Sequence, residues 1–491
     1  MTSEISLYDK FKETGKQGLI YGIGSVTQRL SAILLIPLYT TVLLSEEYGT
    51  LGLIIISGQI ALTVFSLGLR SSLFRSFYDY DDDQNRKIVI STIFFITVIS
   101  GVILFICGIL FSNNISQALF NTGDYKFYFI IITLITILSL VNHFAFSVFR
   151  ANQQAKKYVL LQTSLFVLKI GLIIVFVALL GWGILGVLYG HLTATAVFFV
   201  LLLWQIRKYF VFKFSLPEAG KMLRYGIPFV FVGLFGFVLT YIDRYILNYF
   251  SNLHAVGIYT LGYQLGMVMS VVLITPVKLV WGPVFLSIKN NSNFNIFCSK
   301  ALTYLVYIGG IFFLGIALLS RELLYLISAP EYWSAYSVIP IISLTYLIWS
   351  ARSIIEVGVI LKRKTTAIAF YSFVGALINL ILNIVLIPRY GIKGAAFATL
   401  ISFIVTITID YLYNSALYKI SYEWIRLLKI TLVISIIFST GFFFIVDHLI
   451  VSIIFKVAMI LLYPFVLLLL KFYTKEEIKR IKQILPKFSN S

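Results

Sequence analysis

The sequence predicts an all-α polytopic membrane protein of about 14 transmembrane helices, built as two six-helix lobes in parallel pseudo-repeat plus two extra C-terminal helices. Three observations predict it. The 491 residues are 59% hydrophobic and only 12% charged, whereas soluble domains are about 45–50% apolar and about 25% charged. Apolar runs such as Leu51–Leu69, Ile88–Phe111 and Val159–Leu180 reach the roughly 18 residues that cross about 30 Å of hydrocarbon as helix. Finally, glycines recur at a fixed shift of 208 positions: Gly49/Gly257, Gly58/Gly266, Gly101/Gly309, Gly183/Gly391 and Gly186/Gly394.

Apolar runs between polar breaks give the spans in order. The first six cover 18–39, 49–69, 88–111, 127–149, 159–180 and 183–204. The next six cover 225–250, 257–282, 301–319, 337–361, 367–387 and 395–413, and two more follow at 430–446 and 450–470. The tight turns Gly181–Trp182 and Asp447–Leu449 separate neighbouring spans, because merging them would give helices far longer than a bilayer requires. The polar N-terminus, Met1–Gln17, has no short apolar core with a small-residue cleavage site, so the first span is expected to stay as a membrane helix. Cys107 and Cys298 lack a Cys-x-x-Cys or His partner, and no disulfide framework or metal site is expected.

The net charge of +19 is a topology signal. Of 39 basic residues, only Lys126, Arg321, Arg389 and Lys393 fall in odd-numbered connections, and six fall inside spans. All others lie in the N-terminus, the even-numbered connections and the C-terminus. The positive-inside rule then places both termini in the cytoplasm, with the basic loops facing anionic lipid. Nucleic acid is not an expected partner. In the tail, Thr474-Lys475-Glu476-Glu477 reads as a capping box. Ile478, Ile481 and Leu485 share one face of the helix that would follow, which either lies on the inner membrane surface or docks on the protein's own loops.

Tyr21-Gly22-Ile23 opens the first span and Tyr225-Gly226-Ile227 the seventh. Chance predicts about one glycine coincidence at a given shift, so the set above supports a repeat. The expected organisation is a lobe at 1–204, a cytoplasmic linker at 205–224 broken by Pro217, a lobe at 225–413, helices 13 and 14 at 414–470, and an amphipathic cytoplasmic tail at 471–491. Parallel repeats place a transport site between halves that rock about it.

Local sequence resembles the Wzx-type polysaccharide repeat-unit (O-antigen or capsule) flippases of the multidrug/oligosaccharidyl-lipid/polysaccharide exporter superfamily. The residues that carry the resemblance are Ser31-Ala32-Ile33-Leu34-Leu35-Ile36-Pro37-Leu38-Tyr39-Thr40 with Glu46-Glu47-Tyr48-Gly49, Leu67-Gly68-Leu69 with Arg75, and Tyr241-Ile242-Asp243-Arg244-Tyr245-Ile246-Leu247 with Val256-Gly257-Ile258-Tyr259. It implies a flippase for undecaprenyl-pyrophosphate-linked oligosaccharide in the bacterial inner membrane. Implied partners are membrane lipids, a polysaccharide polymerase and its chain-length machinery. No resident cofactor is expected, and coupling to an H+ or Na+ gradient is left open.

Ionisable residues inside spans cost several kcal/mol unless they face a cavity or a partner. Arg29 and Lys169 fall near the midplane, Arg352 in the inner half of span 10, and Arg244 toward the outer end of span 7. These four are the candidate cations for a pyrophosphate, to which a guanidinium offers two parallel donors. Each has a competing structural reading. Arg352 and Glu356 are four apart and can neutralise each other. Asp243 and Arg244 are adjacent and expected to point apart, each needing an outside partner. Lys278, Asp410 and Lys456 lie near span ends and are expected to reach the interface. His143 and His191 suit either proton coupling or hydrogen-bonded packing, and the Tyr241, Tyr245, Tyr249 stripe either sugar contact or anchoring.

The rival functions are a peptidoglycan lipid-precursor flippase, a drug exporter and a membrane glycan polymerase or ligase. A drug exporter for cations would line its cavity with carboxylates, and a polymerase would carry a sizeable outer loop with catalytic charges. Here the longest outer connections, Ser112–Lys126 and Ser320–Tyr336, are short and weakly charged, and no nucleotide-binding or hydrolase motif is present. An enzyme is therefore not expected.

Overall fold

The computed structural model describes residues 34–288, 291–362, 364, 366–444 and 448–479. Among them, twelve helices are long and apolar enough to cross a membrane. One of these, Thr366–Leu417, is two helices run together across the non-helical backbone of Gly391. It holds spans 11 and 12. The end of the first span is Ile36–Val42, and its remainder lies outside the described residues. The chain is thus an all-helical, multi-pass membrane protein with the span order read from the sequence.

Spans 2 to 6 are Ser45–Phe65, Asp83–Phe120, Lys126–Ala151, Ala155–Ile174 with a π-turn at Val175–Leu179, and Gly183–Ile206. A short helix, Leu69–Tyr78, follows span 2. Spans 7 and 8 are Leu216–Phe250 and Leu253–Gly266, the latter continuing through a π-turn at Ser270–Ile274 into Thr275–Ile288. Spans 9 and 10 are Phe294–Leu318 and the broken run Ile339–Ser350, Arg352–Ile355, Val357–Leu361. Spans 13 and 14 are Trp424–Phe443 and Leu449–Leu469.

Span 3 starts earlier than its apolar run because the Asp82 side chain caps it, accepting from the Asn85 amide at 2.7 Å. Pro217 does not break the linker as expected. It occupies the first turn of the span 7 helix, where a missing amide hydrogen costs nothing. The linker is instead tied down by its backbone, with Val211 and Ser215 donating to Ser91 and Thr92 of span 3 at 3.0 and 3.2 Å.

The repeat is visible in what the paired glycines touch. A Cβ on Gly58 would meet Ile132 of span 4 at 2.6 Å, and one on Gly266 would meet Ile342 of span 10 at 2.7 Å. Gly101 faces Ile137 on span 4, and Gly309 faces Leu347 on span 10. Gly186 and Gly394 each abut a carbonyl of the preceding span, those of Phe176 and Leu386. Gly183 and Gly391 both turn at positive φ, +51° and +54°. Each pair does the same packing work one repeat apart, through the small residues that let membrane helices approach closely.

Packing divides the chain into two compact units. The first holds Met1–Gln264, Ile327–Ala335 and Thr365–Thr406, and the second Leu265–Leu326, Tyr336–Lys364 and Ile407–Ser491. In the first, span 4 packs on spans 2, 3 and 6, and span 7 on span 2, the short helix and span 3. In the second, span 9 packs on spans 10 and 13, and span 13 on span 14.

Candidate functional site

A break in span 2 begins the site. Leu67 and Gly68 take φ of 50° and 65°, which ends the helix and starts Leu69–Tyr78 one residue before Arg70. Gly68 is required here twice over: the left-handed backbone favours it, and a Cβ would lie 2.1 Å from the Gly226 carbonyl oxygen. The break delivers the Arg70 side chain to a cavity of about 380 Å³ between spans 4, 5 and 6.

The cavity wall carries Arg70, Arg150, Lys169, His143 and His191, and among the described residues none that lines it is a carboxylate. Arg150 sits in the last turn of span 4 with its guanidinium over the rings of Phe74 and Tyr158, 5.3 and 5.9 Å from their centroids, a cation–π setting that keeps the charge while orienting it. Lys169 makes no ion pair among the described residues. His143 is exposed although it lies inside an apolar span. Two buried acceptors complete the wall. Asn142 donates to the Thr195 carbonyl at 3.1 Å, but its own side-chain oxygen, like that of Gln162, has no donor. Cations and orphan acceptors together suit an anion bearing hydroxyl groups.

Of the expected cations among the described residues, Lys169, Arg244 and Arg352, the structure brings Lys169 to this cavity. Arg29 lies outside the described residues. Arg244 is 2% exposed and, contrary to expectation, pairs with its neighbour: Nη1 lies 2.6 Å from Asp243 Oδ1. The other Asp243 oxygen accepts from Tyr259 at 2.5 Å and Thr399 at 3.4 Å. The guanidinium stacks 3.9 Å from the Tyr263 ring centroid. Adjacent helical residues can meet in this way because a long arginine curls back along the helix to its neighbour's short carboxylate.

Arg352 pairs with Glu356 at 2.5 Å, as the spacing allows, and also with Asp410 at 3.4 Å. Asp410 is fully buried, and Asn414 donates to its other oxygen at 2.7 Å, so it does not reach the interface as expected. Nor does Lys456, which is buried 2.5 Å from Glu322. The side chain of Lys278 lies outside the described residues. Tyr245 donates to or accepts from Ser57 at 2.9 Å, a packing bond.

By the span limits read from the sequence, Arg70 and Arg150 fall just past spans 2 and 4, in the basic even-numbered connections. A polar stripe on otherwise apolar helices signals Arg150: Ser139, Asn142/His143, Ser147 and Arg150 on span 4, then Tyr158, Gln162 and Lys169 on span 5, each set at helical spacing. Arg70 has no such signal and is brought in by the break at Leu67-Gly68.

The chain is similar in structure to a protein described as the lipid II flippase MurJ in an inward closed conformation, with a TM-score of 0.75 over 91% of this chain and 98% of that one at 16% identity. It is also similar to an inward-facing multidrug resistance MATE family transporter of the MOP superfamily, with a TM-score of 0.67 over 80% and 96% at 15% identity. A third likeness is a MOP superfamily transporter from Pyrococcus furiosus, reported for the reverse polarity of its binding pocket, with a TM-score of 0.61 over 83% and 95% at 16% identity. These identities establish a shared fold. No curated protein matches the chain in sequence. A family model described as polysaccharide biosynthesis protein matches residues 14–289, which include every lining residue of the cationic cavity, and the chain belongs to that family.

Proposed function

We propose that the protein is a flippase that carries an undecaprenyl-pyrophosphate-linked oligosaccharide repeat unit from the cytoplasmic to the periplasmic leaflet of a bacterial inner membrane. The observation that supports this most directly is the cavity holding Arg70, Arg150 and Lys169, lined by no carboxylate among the described residues. With the basic loops on the cytoplasmic side, it runs from the cytoplasmic ends of spans 4 and 5 to about mid-bilayer. Fixed cations stabilise a diphosphate there, and the unsatisfied oxygens of Asn142 and Gln162 accept hydroxyl hydrogens from the attached sugar. A cavity of this sign disfavours a cationic drug. In this reading Lys169 is a substrate cation, with Arg29 its proposed counterpart in span 1. Arg244 and Arg352, held by Asp243, Glu356 and Asp410, act as structural pairs in this reading. The polymerase and chain-length machinery are its proposed downstream partners.

The test is surface-glycan display in a strain lacking its repeat-unit flippase, with membrane levels of each variant measured. Arg150→Gln and Lys169→Gln should each lower display at least about tenfold, a loss near 1.4 kcal/mol. Arg150→Lys should retain part of the activity, because charge remains while the fork geometry goes. Normal display by both glutamine variants at normal levels would sink the proposal. A second reading, a peptidoglycan-precursor flippase, is favoured by the likeness to the lipid II flippase and involves the same diphosphate. Rescue of growth on depletion of the host's lipid II flippase, without rescue of glycan display, would select it.

A further inference from the structure

Two further cavities lie in the same unit, and their order along spans 2 and 4 is informative. The cationic cavity takes Ser139–Arg150 of span 4. A middle cavity of about 240 Å³ shares Arg70, His143 and Ser147 with it and extends along Leu62–Leu73 and Leu140–Ser147. Beyond that, farther from the basic loops, a third cavity of about 530 Å³ opens between Ser57–Phe65 of span 2, Leu104–Leu119 of span 3, Phe129–Thr136 of span 4 and Phe237–Tyr245 of span 7. The three form a consecutive series from the cytoplasmic ends of the helices past the midplane.

Their chemistry is opposite at the two ends. The far cavity is lined by aliphatic and aromatic carbon, with room left by Ala61 and Ala118. Its few hydroxyls are already engaged. Ser57 donates to the Leu53 carbonyl at 2.8 Å, Thr133 to Phe129 at 2.8 Å and Thr136 to Ile132 at 2.7 Å. An apolar space whose polar groups are satisfied internally offers water no partners and favours hydrocarbon. The near cavity has cations and orphan acceptors. A lipid in the cytoplasmic leaflet presents the same sequence: a charged head at the cytoplasmic surface and a tail running toward and past the midplane.

We infer that this unit takes up its substrate as a whole lipid, with the diphosphate among Arg70, Arg150 and Lys169 and the polyprenyl tail laid along the interface of spans 2 and 4 into the cavity of Ala61, Leu104, Phe111 and Ala118. The inference rests on the flippase reading above and adds to it a tail site within the first unit. The site explains how a long prenyl chain is recognised together with its head, so that a free sugar diphosphate is not a competing cargo. Because the tail leaves bilayer hydrocarbon rather than water, its preference for this site comes from packing against the cavity wall rather than from the hydrophobic effect.

The experiment uses the full chain in lipid nanodiscs. The probes are an undecaprenyl diphosphate bearing a benzophenone at the far end of its tail and, as a head-only reporter, geranyl diphosphate. Photo-adducts of the first are mapped by peptide mass spectrometry. Adducts should fall on Leu104–Leu119 and on Phe129–Thr136. Ala61→Trp and Ala118→Trp, which fill the space, should each cut adduct yield at least about tenfold while geranyl diphosphate binding stays within about twofold. That second measurement shows that the variants are folded. Adducts confined to other segments, or a yield unchanged by both fillings while geranyl diphosphate still binds, would overturn the tail site and leave the flippase reading standing. Failure of the wild-type chain to bind either diphosphate would overturn both.

Discussion

Arg352 is one cation between two carboxylates, Glu356 at 2.5 Å and Asp410 at 3.4 Å, and only 13% of its side chain is exposed. Arg352→Gln therefore leaves two acids facing each other in a low-dielectric setting, and removing one partner of a buried pair costs about 3–5 kcal/mol. We expect a clear loss of thermal stability in detergent, partly restored by adding Glu356→Gln and restored further by Asp410→Asn. A single variant as stable as the parent would show that the guanidinium is not what neutralises this site. The sequence showed part of this environment. The spacing of Arg352 and Glu356 on one helix face was readable, because i and i+4 neighbours meet on any helix. Asp410 was not, because it approaches from another span, and hydropathy has no term for which face a distant helix presents. The same limit hid Arg70 and Arg150. A charge counted as a loop charge by position becomes a cavity charge once a break such as Leu67-Gly68 turns the chain.

At the level of elements, two glycines separate packing from propensity. Gly68 is in the left-handed region, and an added Cβ would strike the Gly226 carbonyl. An L-residue there costs roughly 1–2 kcal/mol before the clash is counted. Gly68→Ala should reduce the folded yield sharply in a fluorescence-detected size-exclusion assay and displace Arg70 from the cavity. Gly236 lies inside the span 7 helix with open space where its Cβ would stand. Gly236→Ala should be neutral or raise stability by about 0.5–1 kcal/mol. Opposite results at these two positions would contradict the structure. Helix existence and order were legible because an uninterrupted apolar run has few alternatives in lipid. Helix ends were less so. Span 3 begins at Asp83 with the polar run Asp83-Gln84-Asn85-Arg86-Lys87, and a hydropathy reading registers only the part of a helix that sits in hydrocarbon. The capping box at Thr474 was legible in full, with the Thr474 amide donating to Glu477 at 2.7 Å and the Glu477 amide to Thr474 at 3.3 Å. What it could not announce is that Glu477 also accepts two bonds from Arg426 at 3.0 Å, which docks the start of the tail on span 13. The rest of the tail lies outside the described residues.

For the whole molecule, orientation is the property on which the proposed function depends, because the cationic cavity can take up a lipid from the cytoplasmic leaflet only if the ends of spans 4 and 5 that carry Arg150 and Tyr158 face the cytoplasm. The argument is electrostatic and independent of the cavity. By the spans read from the sequence, Lys126, Arg321, Arg389 and Lys393 are the only basic residues in the connections at one end, against a large excess at the other, and that bias predicts that the richer end faces the cytoplasm. Span 3 offers a single-helix test. It is a 38-residue α-helix, about 57 Å long at 1.5 Å per residue, so its ends must stand in water on opposite sides of roughly 30 Å of hydrocarbon. Asp81 precedes its cap and Gln117 lies in its last turns, and both are exposed. Asp81 is preferred to Asp82 as a probe, since Asp82 caps the helix and its loss would cost about 1 kcal/mol. With Cys107 and Cys298 replaced by serine, Gln117→Cys should react with an impermeant maleimide in intact spheroplasts, and Asp81→Cys only after the membrane is opened. The reverse pattern would turn the cavity of Arg70, Arg150 and Lys169 toward the periplasm. The diphosphate would then have to be gripped after crossing rather than before, and the proposed direction of transport would fall with it.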